Sequence, residues 1–239
     1  MFKLNVCLTL HPRKNPEMEL NEKQRHILLK ALEIFAEKGS DAASVRDIAQ
    51  HAGVNVAMIS YYFGSKEKLL ETIFKQRAEN LKIKIENILH LKLNALEKLD
   101  LLIDTYLNLI VGNRYFHQLM MREQVMFKEG VLYSYIRDMK LTNRALIRKV
   151  VDEGQKETIF RPNIDITMLS VTLFGIINQV FSHYPFICEE YDLPSTGNDT
   201  LNPKVIEKLR THLKAVFHTF LLVHPTTSTP TNVPNENKK

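Results

Sequence analysis

The side chains best equipped for chemistry lie between residues 44 and 66, in the sequence SVRDIAQHAGVNVAMISYYFGSK. The cationic groups of Arg46 and Lys66 can donate hydrogen bonds to phosphate oxygens. The phenols of Tyr61 and Tyr62 can do the same while their rings pack against the sugar-phosphate backbone. The remaining candidates suit base edges, thymine methyl groups or the backbone: Ser44, Asn55, Val56, Ala57, Met58 and Ser60. This combination indicates non-covalent recognition of double-stranded DNA.

Two short helices joined by a tight turn would bring these side chains together. Ser44 can cap the first helix, because its hydroxyl reaches the backbone N–H of Asp47, whose carboxylate can reach back. Gly53 follows at the turn, where a residue free to adopt a positive φ is favoured. Asn55 can cap the second helix. The spacing predicts a helix-turn-helix over residues 44–63, whose second helix would enter a major groove.

The second helix of this motif must pack one face inward and present the other to DNA. We expect three bulky residues to face inward: Val56, Ile59 and Phe63. We expect the outward and edge positions to hold Ala57, Met58, Ser60, Tyr61 and Tyr62. The alternative is an ordinary helical corner in a bundle, which would not require matching segments on both sides of the motif.

Helices are predicted on both sides of the motif. An apolar stripe marks a first helix over residues 21–38, which Gly39 ends. Ser65 can cap a long fourth helix that continues to about Ile88. We expect the boundary between two domains inside this helix, near Lys82, so that the helix acts as a lever between them.

Three segments of this region resemble the N-terminal domain of the TetR/AcrR transcriptional repressors. They are ILLKALEIFAEKG (27–39), SVRDIAQHAGVNVAMISYYF (44–63) and GSKEKLL (64–70). The resemblance runs from Asn21 to about Lys82, and each segment has a different structural role. The family pattern often has an aromatic residue at the position of Ser60. Here the aromatic residues are Tyr61 and Tyr62, so both are candidates for the phosphate contact.

The resemblance implies a homodimeric repressor that a small-molecule effector releases from a near-palindromic operator in double-stranded DNA. Two-fold symmetry would fix the half-site spacing through the distance between the two DNA-binding domains. Activation instead of repression stays open, and no motif names the effector, the operator or the regulated genes. The alternative is a helical ligand-binding or structural protein with only weak, non-specific DNA binding.

Composition agrees with a helical protein of two parts. A chain of 239 residues with 44% hydrophobic residues can bury a core. Only 8 glycines and 9 prolines leave room for long helices. The net charge of +5 permits a polyanionic partner without requiring one. The mild basic excess means that the DNA interpretation depends on where the cations lie.

The rest of the chain also predicts an all-α fold. Apolar periodicity places five further helices at about residues 95–111, 113–127, 131–154, 165–184 and 203–223. No segment between them shows the alternating pattern of a hairpin. The last two helices are apolar on most sides and would need cover on most sides. We therefore expect the homodimer to form through residues 165–184 and 203–223, and we interpret the segment between them as a turn-rich loop.

These patterns divide the chain into four parts. Residues 1–20 form an N-terminal extension, disordered or not translated, and Met18 suggests the hypothesis that translation starts there instead of at Met1. Residues 21–82 form the DNA-binding domain, and residues 83–224 form a ligand-binding and dimerisation domain. Residues 225–239 are polar and proline-containing, which predicts a disordered tail.

Other chemistries lack the residues they need. Cys7 and Cys188 are the only cysteines, which favours two reduced thiols in a cytoplasmic protein. No Gly-rich phosphate loop, nucleophile elbow or metal-ligand spacing is present, so we expect no catalysis, no metal and no cofactor. No apolar run approaches the ~20 residues of a membrane span. A methionine and aromatic stripe is typical of plain core, and less often of a ligand pocket: Phe116, Met120, Met121, Met126 and Phe127.

Overall fold

The computed structural model describes residues 20–126, 131–195 and 201–223, with only the backbone described at 124–126 and 131–132. The helices within these ranges confirm the all-α fold. They are α1 (Glu22–Lys38), α2 (Val45–Ala52), α3 (Val56–Phe63), α4 (Lys66–Leu89), α5 (Ala95–Gly112), α6 (Arg114–Met126), α7 (Val131–Lys156), α8 (Ile166–Ser182), α9 (Tyr184–Glu190) and α10 (Pro203–Leu221). Most of the N-terminal extension and the C-terminal tail lie outside the described residues.

The caps predicted for the helix-turn-helix are present. The Ser44 hydroxyl accepts a hydrogen bond from the Asp47 N–H at 3.1 Å, and the Asp47 carboxylate accepts one from the Ser44 N–H at 2.9 Å. Gly53 ends α2 in the left-handed region, with φ 64°. The Asn55 side chain accepts from the Ala57 N–H at 2.9 Å and caps α3. Local side-chain chemistry therefore sets both ends of the turn.

Two hydrophobic clusters divide the molecule, and α4 contributes to both. The first, which we call the head, joins α1, α2, α3 and the first half of α4, and it also buries Leu119 of α6 and Ile136 of α7. The second, which we call the body, joins α5, α7, α8 and α10. Phe74 of α4 lies in the head and Ile85 in the body. The domain boundary near Lys82 stays a prediction, and it falls between these two residues.

The segment after α8 contains a helix that the sequence did not predict. We interpreted it as a loop, but it forms the seven-residue helix α9. Pro185 fits the first turn of a helix, where the missing N–H has no partner to lose. Tyr184 and Cys188 are buried against Val205 of α10, so tertiary packing stabilises a helix too short to show a period.

Helix α7 continues past the glycine at which we expected it to end. Gly154 lies inside the helix, which ends at Lys156. A Cβ at Gly154 would lie 2.1 Å from Cδ2 of the buried Phe160 ring, so only glycine lets this ring pack there. The Gly154 carbonyl also accepts hydrogen bonds from the N–H groups of Ile159 and Phe160, both at 2.9 Å. Gly154 therefore allows the Phe160 ring to pack directly against the backbone of α7.

Helix α8 is less enclosed than its composition suggested. Ile166, Leu169, Leu173 and Ile177 face the body core. Phe174 packs edge-to-face on Tyr106 of α5, with ring centroids 5.1 Å apart. A separate face of the helix is open to solvent, with Met168 54% exposed.

Candidate nucleic-acid interface and internal cavity

Helix α3 presents a small surface of apolar and polar side chains to solvent. Ile59 and Phe63 are buried in the head as expected. Val56 is 39% exposed, so the prediction that it faces inward is wrong. It is the first residue of an eight-residue helix, where the chain has only begun to approach the core. Together with Val56, the exposed residues of α3 are Ala57, Ser60 and Tyr61, and Met58 lies at the edge.

The two tyrosines of α3 differ in exposure. Tyr61 is 83% exposed, whereas Tyr62 is half-buried and packs against the head core. Their rings form an edge-to-face pair with centroids 5.1 Å apart. The Tyr62 ring also packs edge-to-face on Phe63, with centroids 6.4 Å apart. Tyr62 therefore braces Tyr61, whose hydroxyl projects outward from the head.

Ser44 and its neighbours form a compact polar cluster at the start of α2. The Ser44 hydroxyl also donates to the Asp47 carboxylate at 2.6 Å, so it is used as both donor and acceptor. Lys38 forms an ion pair with the same carboxylate at 2.8 Å. Hydrogen bonds from Lys38 and Ser44 lower the pKa of Asp47 well below its ordinary value. Next to this cluster, Arg46 is exposed on α2.

Lys66 lies beside the N-terminus of α4. Its ammonium donates a hydrogen bond to the backbone carbonyl of Asp41 at 3.2 Å. Ser65 caps the helix by accepting from the Lys68 N–H at 3.2 Å. Hydrogen bonds from its own backbone N–H and from Ser65 lower the pKa of Glu67. A phosphate here would meet the ammonium and the helix dipole, and the Lys66–Asp41 contact would have to open.

A cavity of about 420 Å³ lies where the body meets the head, between α4, α5, α6, α7 and α8. Most of its wall is apolar and includes Leu81, Leu109, Ile110, Phe116, Met121 and Phe174. The methionine and aromatic stripe of α6 therefore faces a cavity, although its pattern was typical of plain core. The side chain of Met126 and residue Phe127, which extend that stripe, lie outside the described side chains. The volume falls within the range of known ligand pockets.

Cationic side chains line the same cavity, and no carboxylate is among its described lining residues. Arg77 of α4 donates a hydrogen bond to the side-chain oxygen of Asn113, and burial lowers its pKa. Arg144 of α7 donates to the Thr167 hydroxyl at 3.3 Å. Burial also lowers the pKa of Lys140. An apolar cavity with three cations suits a ligand that combines an apolar body with an anionic group.

Two buried polar atoms in the cavity wall have no hydrogen-bond partner among the described residues. They are the hydroxyl oxygen of Tyr106 on α5 and Nε2 of His117 on α6. The His117 ring packs on Phe181, with centroids 5.4 Å apart. Burial lowers the pKa of His117 to about 4 and raises the pKa of Tyr106. Both side chains are therefore neutral near pH 7.

His117 should make the stability of the protein depend on pH. Its pKa in the folded protein lies below its ordinary value of 6.5. Between about pH 6.5 and about pH 4 the unfolded chain therefore binds more protons than the folded protein. Stability is then lost over that window, by about 2 kcal/mol at about pH 5. Denaturant unfolding of wild type and His117→Phe at neutral and acidic pH measures this. The variant should lose less stability on acidification, and an equal loss in both proteins would contradict the assignment.

Helix α6 connects the cavity to the head. Its early turns place Phe116 and Met120 at the cavity. Further along, the guanidinium of Arg122 donates to the backbone carbonyl of Glu37 at 3.1 Å. The carboxylate of Glu123, only 1% exposed, accepts from the Ser40 N–H at 3.2 Å. A displacement of α6 by a ligand would therefore act directly on the end of α1 and on the segment that follows it.

The described residues contain no group of three or more His, Cys, Asp or Glu side chains that could hold a metal ion. Within the described ranges, no helix taken alone has the length and hydropathy to cross a membrane; α8 and α9 together do, but they meet at a bend of 81°. Cys188 is a buried free thiol, and Cys7 lies outside the described residues.

Known proteins match both parts of the chain. The profile for bacterial regulatory proteins of the tetR family matches residues 27–73. A profile for the C-terminal region of YsiA-like proteins matches residues 74–207, which is more than half of the chain. The fatty acid metabolism regulator protein of Bacillus subtilis is 26% identical over 181 residues, covering 75% of this chain and 92% of that protein. The HTH-type transcriptional repressor KstR2 of Mycobacterium tuberculosis is 26% identical over 151 residues, covering 63% and 76%.

Solved structures share the fold. That of the ketosteroid regulator KstR2 of M. tuberculosis has a TM-score of 0.67 and 21% identity, covering 86% of this chain and 98% of that one. That of FadR of B. subtilis in complex with stearoyl-CoA has a TM-score of 0.61 and 22% identity, covering 84% and 99%. The chain belongs to the TetR family of bacterial regulatory proteins. It is a ligand-responsive, DNA-binding transcriptional regulator, and the TetR resemblance of its sequence is confirmed.

Proposed function

We propose that this regulator is a homodimeric repressor that releases its operator when an amphipathic anion fills the cavity of each subunit. The observation that carries the proposal is that α6 both lines the cavity and holds the head through Arg122 and Glu123. In this account α6 has two positions, one for each of two head orientations. A ligand that binds one of these positions more tightly than the other shifts the population toward the corresponding head orientation. A ligand with equal affinity for both would leave DNA binding unchanged.

The DNA contacts follow from exposure and charge. Tyr61, Arg46 and Lys66 contact phosphates, and the half-buried Tyr62 supports Tyr61 from behind. Val56, Ala57, Met58 and Ser60 approach base edges and thymine methyl groups from the exposed side of α3. Ser44 and Asn55 act mainly as helix caps, because their side-chain oxygens already bind backbone N–H groups.

Replacing Lys66 with alanine should weaken binding about equally on all DNA sequences. One lost phosphate contact should reduce the slope of log affinity against log salt by about one. Binding titrations at several salt concentrations measure the slope. Lys23→Ala is a matched control, since Lys23 is exposed on α1 outside the proposed interface. An unchanged slope for Lys66→Ala would reject the phosphate contact.

The dimer proposed here forms through the open faces of α8 and α10. On α8 this face carries Met168, Thr172, Gly175 and Gln179, all exposed. On α10 the matching face includes His212 and Ala215. A shallow groove of about 370 Å³ runs between these two helices and α9. Small side chains let helices approach closely, and an exposed face with apolar residues is typical of a contact surface.

The chemistry of the cavity supports an acyl-CoA or a similar amphipathic anion as the ligand. Its apolar wall would hold a hydrocarbon part, and Arg77, Lys140 and Arg144 would hold phosphate or carboxylate groups. The relative FadR has been solved with stearoyl-CoA. Operator binding with and without stearoyl-CoA tests the proposal. Retained operator binding by a protein saturated with stearoyl-CoA would contradict it.

Removing one cation of the cavity should weaken ligand binding without changing the affinity of the protein for DNA. Arg144→Ala should lower affinity for stearoyl-CoA about tenfold to a hundredfold, since a charge-assisted hydrogen bond contributes about 1.5–3 kcal/mol. Arg148→Ala is the control, because Arg148 is exposed one turn further along α7 and does not line the cavity. Calorimetric titration measures both. Equal affinities in the two variants would show that Arg144 does not contact the ligand.

A further inference from the structure

The cavity contains two polar atoms whose positions the anionic ligand group does not explain. Tyr106 is only 2% exposed, yet its hydroxyl has no hydrogen-bond partner among the described residues. The same holds for Nε2 of His117. Buried polar atoms in folded proteins are almost always satisfied, so an exception calls for a partner that is not part of the chain. Both residues line the cavity, which is where such a partner would bind.

The surroundings of these atoms favour a neutral partner. The Tyr106 ring packs on Phe174 and the His117 ring on Phe181, and each contact would be equally available to a phenylalanine. The hydroxyl and the imidazole nitrogen therefore add hydrogen-bonding capacity that packing does not require. Neither side chain is charged near pH 7. Burying an ion against two neutral groups would leave its charge uncompensated, whereas a neutral oxygen needs only a hydrogen bond.

We propose that Tyr106 and His117 form an interior polar subsite for a hydroxyl or keto oxygen on the apolar part of the ligand. The Tyr106 hydroxyl donates to this oxygen. His117 accepts from a ligand hydroxyl or donates to a keto group, according to its tautomer. The subsite rests on the proposed function, because it lies in the same cavity as Arg77, Lys140 and Arg144. It makes an oxygenated chain or ring system the preferred ligand over a plain hydrocarbon chain.

Matched ligands test the subsite. The probes are stearoyl-CoA and a series of stearoyl-CoA analogues with one hydroxyl or keto group at successive chain positions. Affinities are measured by calorimetric titration for wild type, Tyr106→Phe and Tyr133→Phe. The control Tyr133→Phe removes the same hydroxyl from an exposed tyrosine of α7 that does not line the cavity. In wild type and in Tyr133→Phe, we expect the best oxygenated analogue to bind about tenfold more tightly than stearoyl-CoA.

Loss of that preference in Tyr106→Phe, but not in Tyr133→Phe, supports the subsite, and a Tyr106→Phe protein that keeps the preference would overturn it. Wild type that binds stearoyl-CoA as tightly as every oxygenated analogue would overturn it. Binding of these ligands without any effect on DNA would refute the proposed function and leave the subsite standing.

A measurement without ligand covers the case in which no acyl-CoA binds. An unsatisfied hydroxyl contributes nothing to stability, so Tyr106→Phe should melt at the same temperature as the wild type or higher. Tyr133→Phe should leave the melting temperature unchanged. A lower melting temperature for Tyr106→Phe would show that the protein itself satisfies the hydroxyl, and would overturn the subsite.

Discussion

Replacing Gly175 with arginine should split the proposed dimer and lower operator affinity about a hundredfold or more. Gly175 is exposed at the centre of the open face of α8, and a Cβ there would meet nothing within 4 Å. The folded subunit therefore has room for the new side chain. In a dimer, the substitution would bury a guanidinium on each subunit without a partner, at a cost of several kcal/mol. The operator affinity gained by linking two heads would then be lost.

Gly112→Arg provides a matched control for this experiment. Gly112 is the last residue of α5, is also exposed, and also has open space where a Cβ would lie. Sedimentation and operator titration of both variants should give monomers for Gly175→Arg and dimers for Gly112→Arg. A Gly175→Arg protein that remains dimeric with full operator affinity would place the subunit contact elsewhere.

Replacing Gly154 with alanine should lower the free energy of unfolding by about 2–3 kcal/mol. The added Cβ would lie 2.1 Å from the Phe160 ring, which is only 2% exposed. Overpacking of a buried site typically costs about 1–3 kcal/mol. The ring and the backbone after α7 would have to shift together, because Phe160 and Ile159 both bind the Gly154 carbonyl.

A double-mutant cycle separates this clash from any effect on the helix. In a Phe160→Leu background, the smaller side chain should remove most of the penalty of Gly154→Ala. Gly112→Ala, where no atom lies near the new Cβ, should change stability by no more than about 0.5 kcal/mol. Denaturant unfolding measures all of these variants. A penalty that is the same in both backgrounds would show that the Phe160 ring is not its cause.

The motif could be predicted because its determinants are local. Ser44, Gly53 and Asn55 each act on backbone groups within a few residues, so their order in the sequence is enough to place two helices. The direction of Val56 could not be predicted from the same pattern. Helical spacing puts it on the inner face, but its burial depends on how far the first turn of α3 reaches toward the core.

The contacts between α6 and the head, and the cavity beside them, could not be predicted from the sequence for a different reason. The contact between Arg122 and Glu37 joins residues 85 positions apart, and that between Glu123 and Ser40 joins residues 83 apart. No local pattern indicates such pairs. A filled core and a cavity wall are also built from the same types of residue. The apolar stripe of α6 therefore could not show which of the two it belongs to. Helix α9 likewise depends on packing against Val205 of α10, which is distant in sequence. The role of Gly154 depends on the ring of Phe160, only six residues away, but the sequence does not show that the chain folds back over the helix there.

The footprint of the protein on DNA fragments selected from genomic DNA tests the central claim most directly. Two heads that place α3 side by side along one duplex should protect two related half-sites. Their centres should be about 10–10.5 base pairs apart, or a multiple of that distance, and the two sequences should be related by approximate two-fold symmetry. A single unpaired site, or uniform protection with no preferred sequence, would contradict the account.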